Sequence, residues 1–150
     1  MPFSIEDARQ FLVRPGFHLA DIDPSSTPVI DSQKELDKDF VQHDDEIGDL
    51  QENLWANARM GNPETGSILL VIQGMDTSGK GGLIRNLGRV MHPMGLRLSS
   101  FGRPTEEEAA HDFLWRVHPK LPDPGEIAIF DRSHYEDVLI QRIEQDAEAE

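Results

Sequence analysis

The chain has 150 residues, no cysteine and a formal net charge of −14, from 28 acidic and 14 basic residues. This length suits one domain with a single core, and the lack of cysteine excludes a disulfide framework and a thiolate nucleophile. The acidic balance argues against nucleic acid or an anionic membrane as the main partner. The sequence shows neither a basic-then-apolar leader nor an apolar run of membrane-spanning length, so we expect a soluble cytoplasmic protein.

Proline and glycine interrupt the first 32 residues repeatedly, with Pro15-Gly16 between two short apolar groups. Because such interruptions are unfavourable for helices and central strands, the pattern predicts an extended N-terminal arm over residues 1–32.

An amphipathic helix is predicted over residues 33–60. Ser32 and Glu35 have the spacing of a capping box, and Gly61 follows the segment as a stop signal. One apolar stripe runs along an otherwise charged segment, which favours packing on the chain's own domain, with a partner or dimer helix as the alternative. The stripe, with His43 counted on it, comprises Leu36, Phe40, Ile47, Leu50, Leu54 and Ala58.

Residues 66–150 are predicted to form the core, which begins with an apolar run, a glycine loop and a helix. The run Ile68-Leu-Leu-Val-Ile72 predicts a strand buried on both faces. The loop after it has the pattern G-x-x-x-x-G-K between strand and helix, which is typical of a phosphate-binding P-loop. Gly81 stands where the common pattern has Ser or Thr. The candidate phosphate-binding residues of this loop are Gly74, Gly79, Lys80, Gly81 and Gly82.

Lys80 is the strongest functional candidate in the loop. A cation at a helix N-terminus is unfavourable without an anion, so its position indicates a contact with the β and γ phosphates of a ligand. The glycines around it let the backbone approach phosphate oxygens closely.

Strands and helices alternate after the loop, which predicts an α/β fold with a parallel sheet. A second strand is predicted from Leu96 to Phe101 and a third from Glu126 to Phe130. A further helix is predicted from about Tyr135 onward. Between the last two strands we expect a helix after Thr105, with Phe113, Leu114 and Val117 on its apolar face.

Two carboxylates are candidate catalytic residues and metal ligands. Asp131 ends the third strand, where it could anchor Mg²⁺ beside the P-loop, and a helix N-cap is the alternative. Asp76 lies inside the loop, where a divalent cation would offset its repulsion of the phosphates. A turn-forming role is the alternative for Asp76, but it leaves that repulsion unexplained. We therefore expect Mg²⁺, or Mn²⁺, at these two residues.

Three arginines are candidate phosphate ligands, because a guanidinium fork suits phosphate oxygens. Arg132 directly follows Asp131, and Arg103 follows the second strand, so both are expected at the sheet edge beside the loop. Arg85 lies one turn into the helix and faces either the site or solvent. Three histidines lack metal-ligand spacing and are interpreted as structural: His111, His118 and His134.

These motifs resemble the polyphosphate kinase 2 family. The resemblance covers about Pro15 to Ile143, and the combination of an acid inside the loop, a glycine after the lysine and Asp-Arg-Ser after the third strand is specific. A P-loop alone would indicate only nucleotide binding. The matching stretches are Gly74-Met-Asp-Thr-Ser-Gly-Lys-Gly-Gly82, His111-Asp-Phe-Leu-Trp-Arg116 and Phe130-Asp-Arg-Ser-His-Tyr-Glu-Asp-Val-Leu139.

The resemblance implies a three-layer αβα kinase fold that transfers a terminal phosphoryl group between inorganic polyphosphate and a nucleotide, with magnesium. The nucleotide would be AMP, ADP or ATP, or GDP or GTP. Asp76 and Asp131 would hold or orient the metal and the accepting phosphate, and Lys80 and Arg132 would offset the charge of the transferred group. We expect neither nucleic acid nor a membrane as partner, and a homo-oligomer in the full-length form.

Two departures from the family pattern affect these expectations. Arg103 stands where similar sequences often have lysine. Family members also continue beyond Glu150 with a basic helical lid and further strands, so we expect an incomplete core, an open edge on the P-loop strand and poor turnover. The alternatives are a non-catalytic protein that binds nucleotide or polyphosphate, an ATP-dependent kinase of a small metabolite, and an interaction module built on residues 36–58.

Overall fold

The computed structural model describes residues 4–136, except for 24, 27–28 and 30–31. The chain divides into two compact units, Met1–Glu46 and Ile47–Glu150. Within the described residues, no helix is long and apolar enough to cross a membrane. The helix predicted from about Tyr135 lies, after Glu136, outside these residues.

The first unit begins with a short helix, α1 (Ile5–Arg9), so the prediction of an extended arm was wrong for this segment. The Ser4 hydroxyl accepts a hydrogen bond from the Asp7 amide at 3.2 Å, and the Asp7 carboxylate accepts one from the Ser4 amide at 2.9 Å. This capping box satisfies amides that the first helical turn leaves unpaired. Hydrogen bonds from the Ser4 hydroxyl and amide also lower the pKa of the Asp7 carboxyl.

The long helix α2 spans Gln33–Arg59, close to the predicted range. In the second unit its buried face differs from the predicted stripe, because Leu50 is 62% exposed whereas Gln51 is buried. The Gln51 side chain accepts from the His92 amide at 3.0 Å and donates to the His92 carbonyl at 3.3 Å. A buried amide that satisfies both of its ends in this way is tolerated in a core.

The second unit is built on a sheet of three parallel strands in the order β1-β3-β2, which confirms the predicted parallel α/β fold. Ile72 and Ser100 both pair with Asp131, so the three strands end side by side. The strands are β1 (Ile68–Ile72), β2 (Leu96–Ser100) and β3 (Ile127–Asp131), and the helices between them are α3 (Lys80–Val90) and α4 (Glu106–Ala109).

The central strand β3 carries the core on both faces of the sheet, because successive side chains of a strand point in opposite directions. One cluster, against α2 and α3, contains Ile72, Ile127 and Ile129 with Leu54, Ile84, Leu87, Met91 and Leu96 packed on it. The other contains Phe101, Val117, Ala128 and Phe130 with Leu114. The deepest burial thus lies directly beneath the end of β3.

The strand β1 is less buried than predicted. Only Ile72 is buried, and the residues from Ile68 to Val71 are 36–51% exposed, so the expectation of burial on both faces was wrong. The physical reason is that β1 is an edge strand, since in the described part of the chain it pairs with β3 alone. The predicted open edge on the P-loop strand is confirmed for these residues.

The helix after Thr105 is shorter than predicted. Thr105 and Glu108 form a capping box, but α4 ends at Ala109. The Asp112 carboxylate then accepts from the Leu114 amide at 3.0 Å, which starts a new turn instead of continuing the helix. Turns therefore carry the apolar residues assigned to this helix.

Gly125 provides a test of how closely α2 packs on the turn before β3. Its φ is +88°, and a Cβ there would overlap the Cβ of Ala58 and lie 3.3 Å from the Leu54 carbonyl oxygen. We expect Gly125→Ala to lower the free energy of unfolding by about 2–4 kcal/mol, from left-handed strain and overlap together. Urea unfolding followed by circular dichroism measures this change.

The matched control is Gly88→Ala in α3, where a Cβ would meet nothing within 4 Å. It should raise stability by about 0.5–1 kcal/mol, because alanine favours a helix interior. Equal unfolding midpoints for the two variants would contradict the packing described for Gly125.

Candidate functional site

The loop between β1 and α3 folds around its own lysine. Lys80 Nζ donates to the Gly74 carbonyl at 2.6 Å and to the Met75 carbonyl at 2.7 Å. These bonds hold the ammonium against the start of the loop, and the first amides of α3 that follow it have no partner within the helix. An anion in the loop would be attracted by the ammonium and by the helix N-terminus together.

Two glycines of this loop are required for different reasons. Gly79 has a φ of +93°, which glycine adopts without strain, and its carbonyl accepts from the Leu83 amide at 3.1 Å as α3 begins. At Gly74 a Cβ would lie only 2.8 Å from Ser78 Oγ. Thr77 also has a positive φ, 64°, so the loop holds a non-glycine residue in a costly conformation.

A cavity of about 510 Å³ lies at the carboxyl ends of the strands. Its wall consists of the P-loop after β1, the segment Ser100–Gly102 at the end of β2, and the residues at the end of β3. The predicted site residues that it brings together are Asp76, Gly79, Lys80, Gly81, Asp131 and Arg132. Two cationic and two anionic side chains thus share one cavity.

Arg132 connects β3 to the loop. Its amide donates to the Ile72 carbonyl at 2.9 Å, and its φ is +66°, an unfavourable conformation for a non-glycine residue. Its NH2 atom lies 3.0 Å from Asp76 Oδ1. Because the Asp76 side chain is 88% exposed, this ion pair contributes at most about 1 kcal/mol and can exchange its partners. Arg132 thus offsets the charge of this carboxylate, and both the metal-binding role of Asp76 and the turn-forming alternative stay predictions.

Asp131 is half-buried, and its backbone carbonyl accepts from the Phe101 amide at 2.9 Å. The hydroxyl that accepts from the following turn belongs to Ser133, whose Oγ binds the Tyr135 amide at 3.2 Å. The helix-capping alternative for Asp131 stays a prediction. Asp131 lines the cavity.

The two carboxylates fit a metal site that is completed by substrate phosphates. Among residues 4–136 that the structure describes, no group of three or more His, Cys, Asp or Glu side chains could hold a metal ion. Magnesium, however, usually binds through one or two carboxylates together with substrate phosphates. Asp76 and Asp131 provide that number of oxygen ligands beside the phosphate-binding loop.

Other predicted ligands lie apart from the cavity wall. Arg85 is exposed on α3, Arg103 is exposed beyond Gly102, and neither lines the cavity. Gly74 and Gly82 are also absent from the wall, and Gly74 acts instead by binding Lys80 through its carbonyl. The phosphate-binding roles of these residues stay predictions.

The sequence interpretation missed Glu136, which contacts Arg132, and Gln73, which binds Glu136. Gln73 Nε2 donates to Glu136 Oε1 at 2.7 Å, and this carboxylate lies 3.7 Å from Arg132 Nε. A signal was present, because Glu136 belongs to the motif that carries the family resemblance. Spacing alone gave it no role.

The parallel sheet, the glycine loop with its lysine and the carboxylate at the neighbouring strand end define an α/β protein with a P-loop. A family model described as polyphosphate kinase 2 matches residues 35–150. The chain belongs to this family, which confirms the resemblance seen in its motifs.

Similar proteins agree with this assignment. An AMP/ADP-polyphosphate phosphotransferase from Meiothermus ruber is 39% identical over 138 residues, which are 90% of this chain and 49% of that protein. An ADP-polyphosphate phosphotransferase from Rhodopseudomonas palustris is 42% identical over 67% of this chain and 32% of its own length. The crystal structure of polyphosphate kinase 2 from Arthrobacter aurescens superposes with a TM-score of 0.85 at 42% identity, covering 92% of this chain and 48% of that one. The chain therefore spans at most about half the length of these relatives.

Gly79→Ala tests whether the left-handed turn before α3 shapes the phosphate site. We expect binding of inorganic tripolyphosphate to weaken about tenfold, because alanine would have to adopt a conformation that costs about 1–2 kcal/mol. Isothermal titration calorimetry measures the affinity, and Gly88→Ala is the control on the same helix. Unchanged affinity in Gly79→Ala would contradict the role given to this turn.

Proposed function

We propose that this chain carries the phosphate-binding part of a phosphotransferase that moves a terminal phosphoryl group between inorganic polyphosphate and a nucleoside mono- or diphosphate. The observation that carries the proposal is the shared cavity of Lys80, Asp131 and Arg132 at the ends of parallel strands. Membership of the polyphosphate kinase 2 family supports the choice of substrates.

Phosphate capture would begin with the loop. The Lys80 ammonium, now bound to two carbonyls of its own loop, would exchange them for oxygens of the incoming phosphate. Arg132 would contribute its planar guanidinium to the same group, since arginine binds phosphate oxygens in pairs. Both cations act where negative charge is greatest during transfer.

The transfer itself needs no strong base. An oxygen of the acceptor's terminal phosphate attacks the terminal phosphorus of polyphosphate, a new P–O bond forms, and the bond to the bridging oxygen breaks. Because the attacking phosphate oxygen is already ionised, the chain's residues mainly align the two groups and offset charge. The Asp131 carboxylate, half-buried at the strand end, would orient the acceptor.

We propose Mg²⁺, with Mn²⁺ as the substitute, as the metal of this site. When bound, the ion would neutralise charge on the phosphate chain. Asp76 and Asp131 would hold it, and Asp76 would exchange its 3.0 Å contact with Arg132 for the ion.

The acceptor is proposed from the names of similar proteins. Those from Meiothermus ruber and Rhodopseudomonas palustris are named for AMP, ADP or both, and one from Corynebacterium glutamicum that is 32% identical is a putative GDP-polyphosphate phosphotransferase. We therefore propose AMP, ADP or GDP as acceptors. A homo-oligomeric assembly stays a prediction.

Lys80→Ala tests the function directly. We expect polyphosphate-dependent formation of nucleoside di- or triphosphate to fall at least about 100-fold, the loss typical of removing a group that stabilises transition-state charge. Phosphate transfer from polyphosphate to AMP, ADP or GDP is measured by chromatography of the nucleotides. The matched control is Lys120→Ala, an exposed lysine that does not line the cavity.

Each other outcome of this assay favours a different interpretation. Tight tripolyphosphate binding without any transfer, both by the unaltered chain and by a form extended to the length of its relatives, would favour a non-catalytic binding protein. Transfer from ATP that polyphosphate cannot replace would favour a metabolite kinase.

Asp131→Asn tests the proposed metal. We expect the Mg²⁺ concentration needed for half-maximal tripolyphosphate binding to rise about tenfold or more, the size of effect typical of weakened metal sites. A Mg²⁺ titration by calorimetry measures this, and EDTA should abolish the Mg²⁺-dependent part of binding in the unaltered chain. Glu64→Gln, which removes an exposed carboxylate before β1, is the control. An identical Mg²⁺ dependence in Asp131→Asn would contradict the assignment.

A further inference from the structure

Beyond the four residues given catalytic roles, we propose that Glu136, bound by Gln73, is a positioning residue that holds the Arg132 guanidinium over the phosphate cavity when Asp76 binds the cation. This inference rests on the proposed function, because it assumes that Arg132 binds the transferred phosphate. It assigns to Gln73 and Glu136 a role that the sequence pattern did not indicate.

The Arg132 guanidinium lies between two carboxylates of different character. Its NH2 atom is 3.0 Å from Asp76 Oδ1, and its Nε atom is 3.7 Å from Glu136 Oε1. The Asp76 side chain is 88% exposed, whereas that of Glu136 is 13% exposed. The two contacts use different nitrogens of the guanidinium, so one can be lost while the other remains.

The Glu136 carboxylate is held more firmly than that of Asp76. The Oε1 atom of this carboxylate accepts a hydrogen bond from Gln73 Nε2 at 2.7 Å, and the backbone amide of Glu136 donates to the Ser133 carbonyl at 3.1 Å. Gln73 directly follows β1, so this anchor joins the ends of β1 and β3. A largely buried, hydrogen-bonded carboxylate is screened less by water than an exposed one, and it attracts a neighbouring cation more strongly.

The two carboxylates therefore have different roles in this proposal. Asp76 can leave Arg132 at little cost and bind a cation, since an exposed ion pair is weak. Glu136 then keeps the guanidinium of Arg132 in place through Nε, and the NH2 nitrogen released by Asp76 can donate to phosphate oxygens. If Glu136 were absent and Asp76 were released, the Arg132 side chain would contact no carboxylate of the residues that the structure describes. The ligand itself would then have to order the rotamers of Arg132.

A double-mutant cycle with Glu136→Gln and Arg132→Ala tests this role. Glutamine keeps the size of the side chain and an oxygen that can accept from Gln73, but it removes the charge. We expect Glu136→Gln to weaken Mg²⁺-dependent binding of inorganic tripolyphosphate about tenfold in the unaltered chain, and to cause no further loss in the Arg132→Ala chain. A merely structural role would weaken binding in both backgrounds.

Two further variants complete the test. Gln73→Leu keeps the volume of the side chain but removes the donor to Glu136, and it should cause a smaller loss that also disappears in the Arg132→Ala chain. Glu64→Gln is the charge-matched control and should bind tripolyphosphate like the unaltered chain. Circular dichroism and unfolding midpoints are compared for all variants, so that a folding defect is separated from a binding defect.

The outcomes separate this inference from the proposed function. Equal losses from Glu136→Gln in both backgrounds, or no loss in either, would overturn the positioning role. If Arg132→Ala leaves tripolyphosphate binding unchanged, both the role of Arg132 and this inference fall. If the binding cycle behaves as expected while neither this chain nor a form extended to the length of its relatives transfers phosphate from polyphosphate, the proposed function fails and the positioning role stands.

Discussion

The register of β3 against its two neighbours is the constraint on which the rest of the site depends. Ile72 and Ser100 pair with the same residue, Asp131, so three segments leave the sheet at one level. Backbone bonds extend this alignment past the strands, from the Arg132 amide to Ile72 and from the Phe101 amide to Asp131, each at 2.9 Å. The cavity wall is therefore positioned by main-chain hydrogen bonds, and beneath it β3 is almost completely buried. A site placed in this way tolerates little shift in register, since a slip of one residue turns every side chain to the other face.

The charges of the site show how an acidic protein could bind a polyanion. The chain carries a net charge of −14, yet its cavity holds a lysine and an arginine that are already directed inward by contacts with their own chain. Lys80 is held by uncharged carbonyls and Arg132 by carboxylates, so neither needs a basic surface around it. An anion would replace the present partners of Lys80 and Arg132, which bind weakly because they are uncharged or exposed. Repulsion from the surrounding acidic surface falls off within about 8–10 Å at physiological salt, so binding would depend on the local charges.

The part of the site that was predictable from the sequence consists of neighbours along the chain. The P-loop at residues 74–82, with its lysine, comes after the apolar strand β1, and Asp131 ends the apolar strand β3. Strand ends of a parallel sheet meet at one edge. These rules brought Asp76, Lys80, Asp131 and Arg132 together correctly. They did not determine which way Arg85 and Arg103 point, because a position one turn into a helix or three residues past a strand leaves several directions open. The exposure of β1 also escaped prediction, since an apolar run does not reveal whether a strand is central or at an edge.

By itself, then, the sequence determined the fold class, the loop and the residue types of the site, because each depends on spacing within a single strand, turn or helix start. Only the tertiary structure decided the contacts between distant segments. Gln51 is buried because it binds His92, 41 positions away, and Gln73 meets Glu136, 63 positions away. Periodicity and local propensity contain no information about such pairs, since their formation depends on how the sheet brings strand ends together. For the same reason, the sequence motif was enough to identify Arg132, whereas its neighbourhood of Gln73 and Glu136 was identified only from the structure.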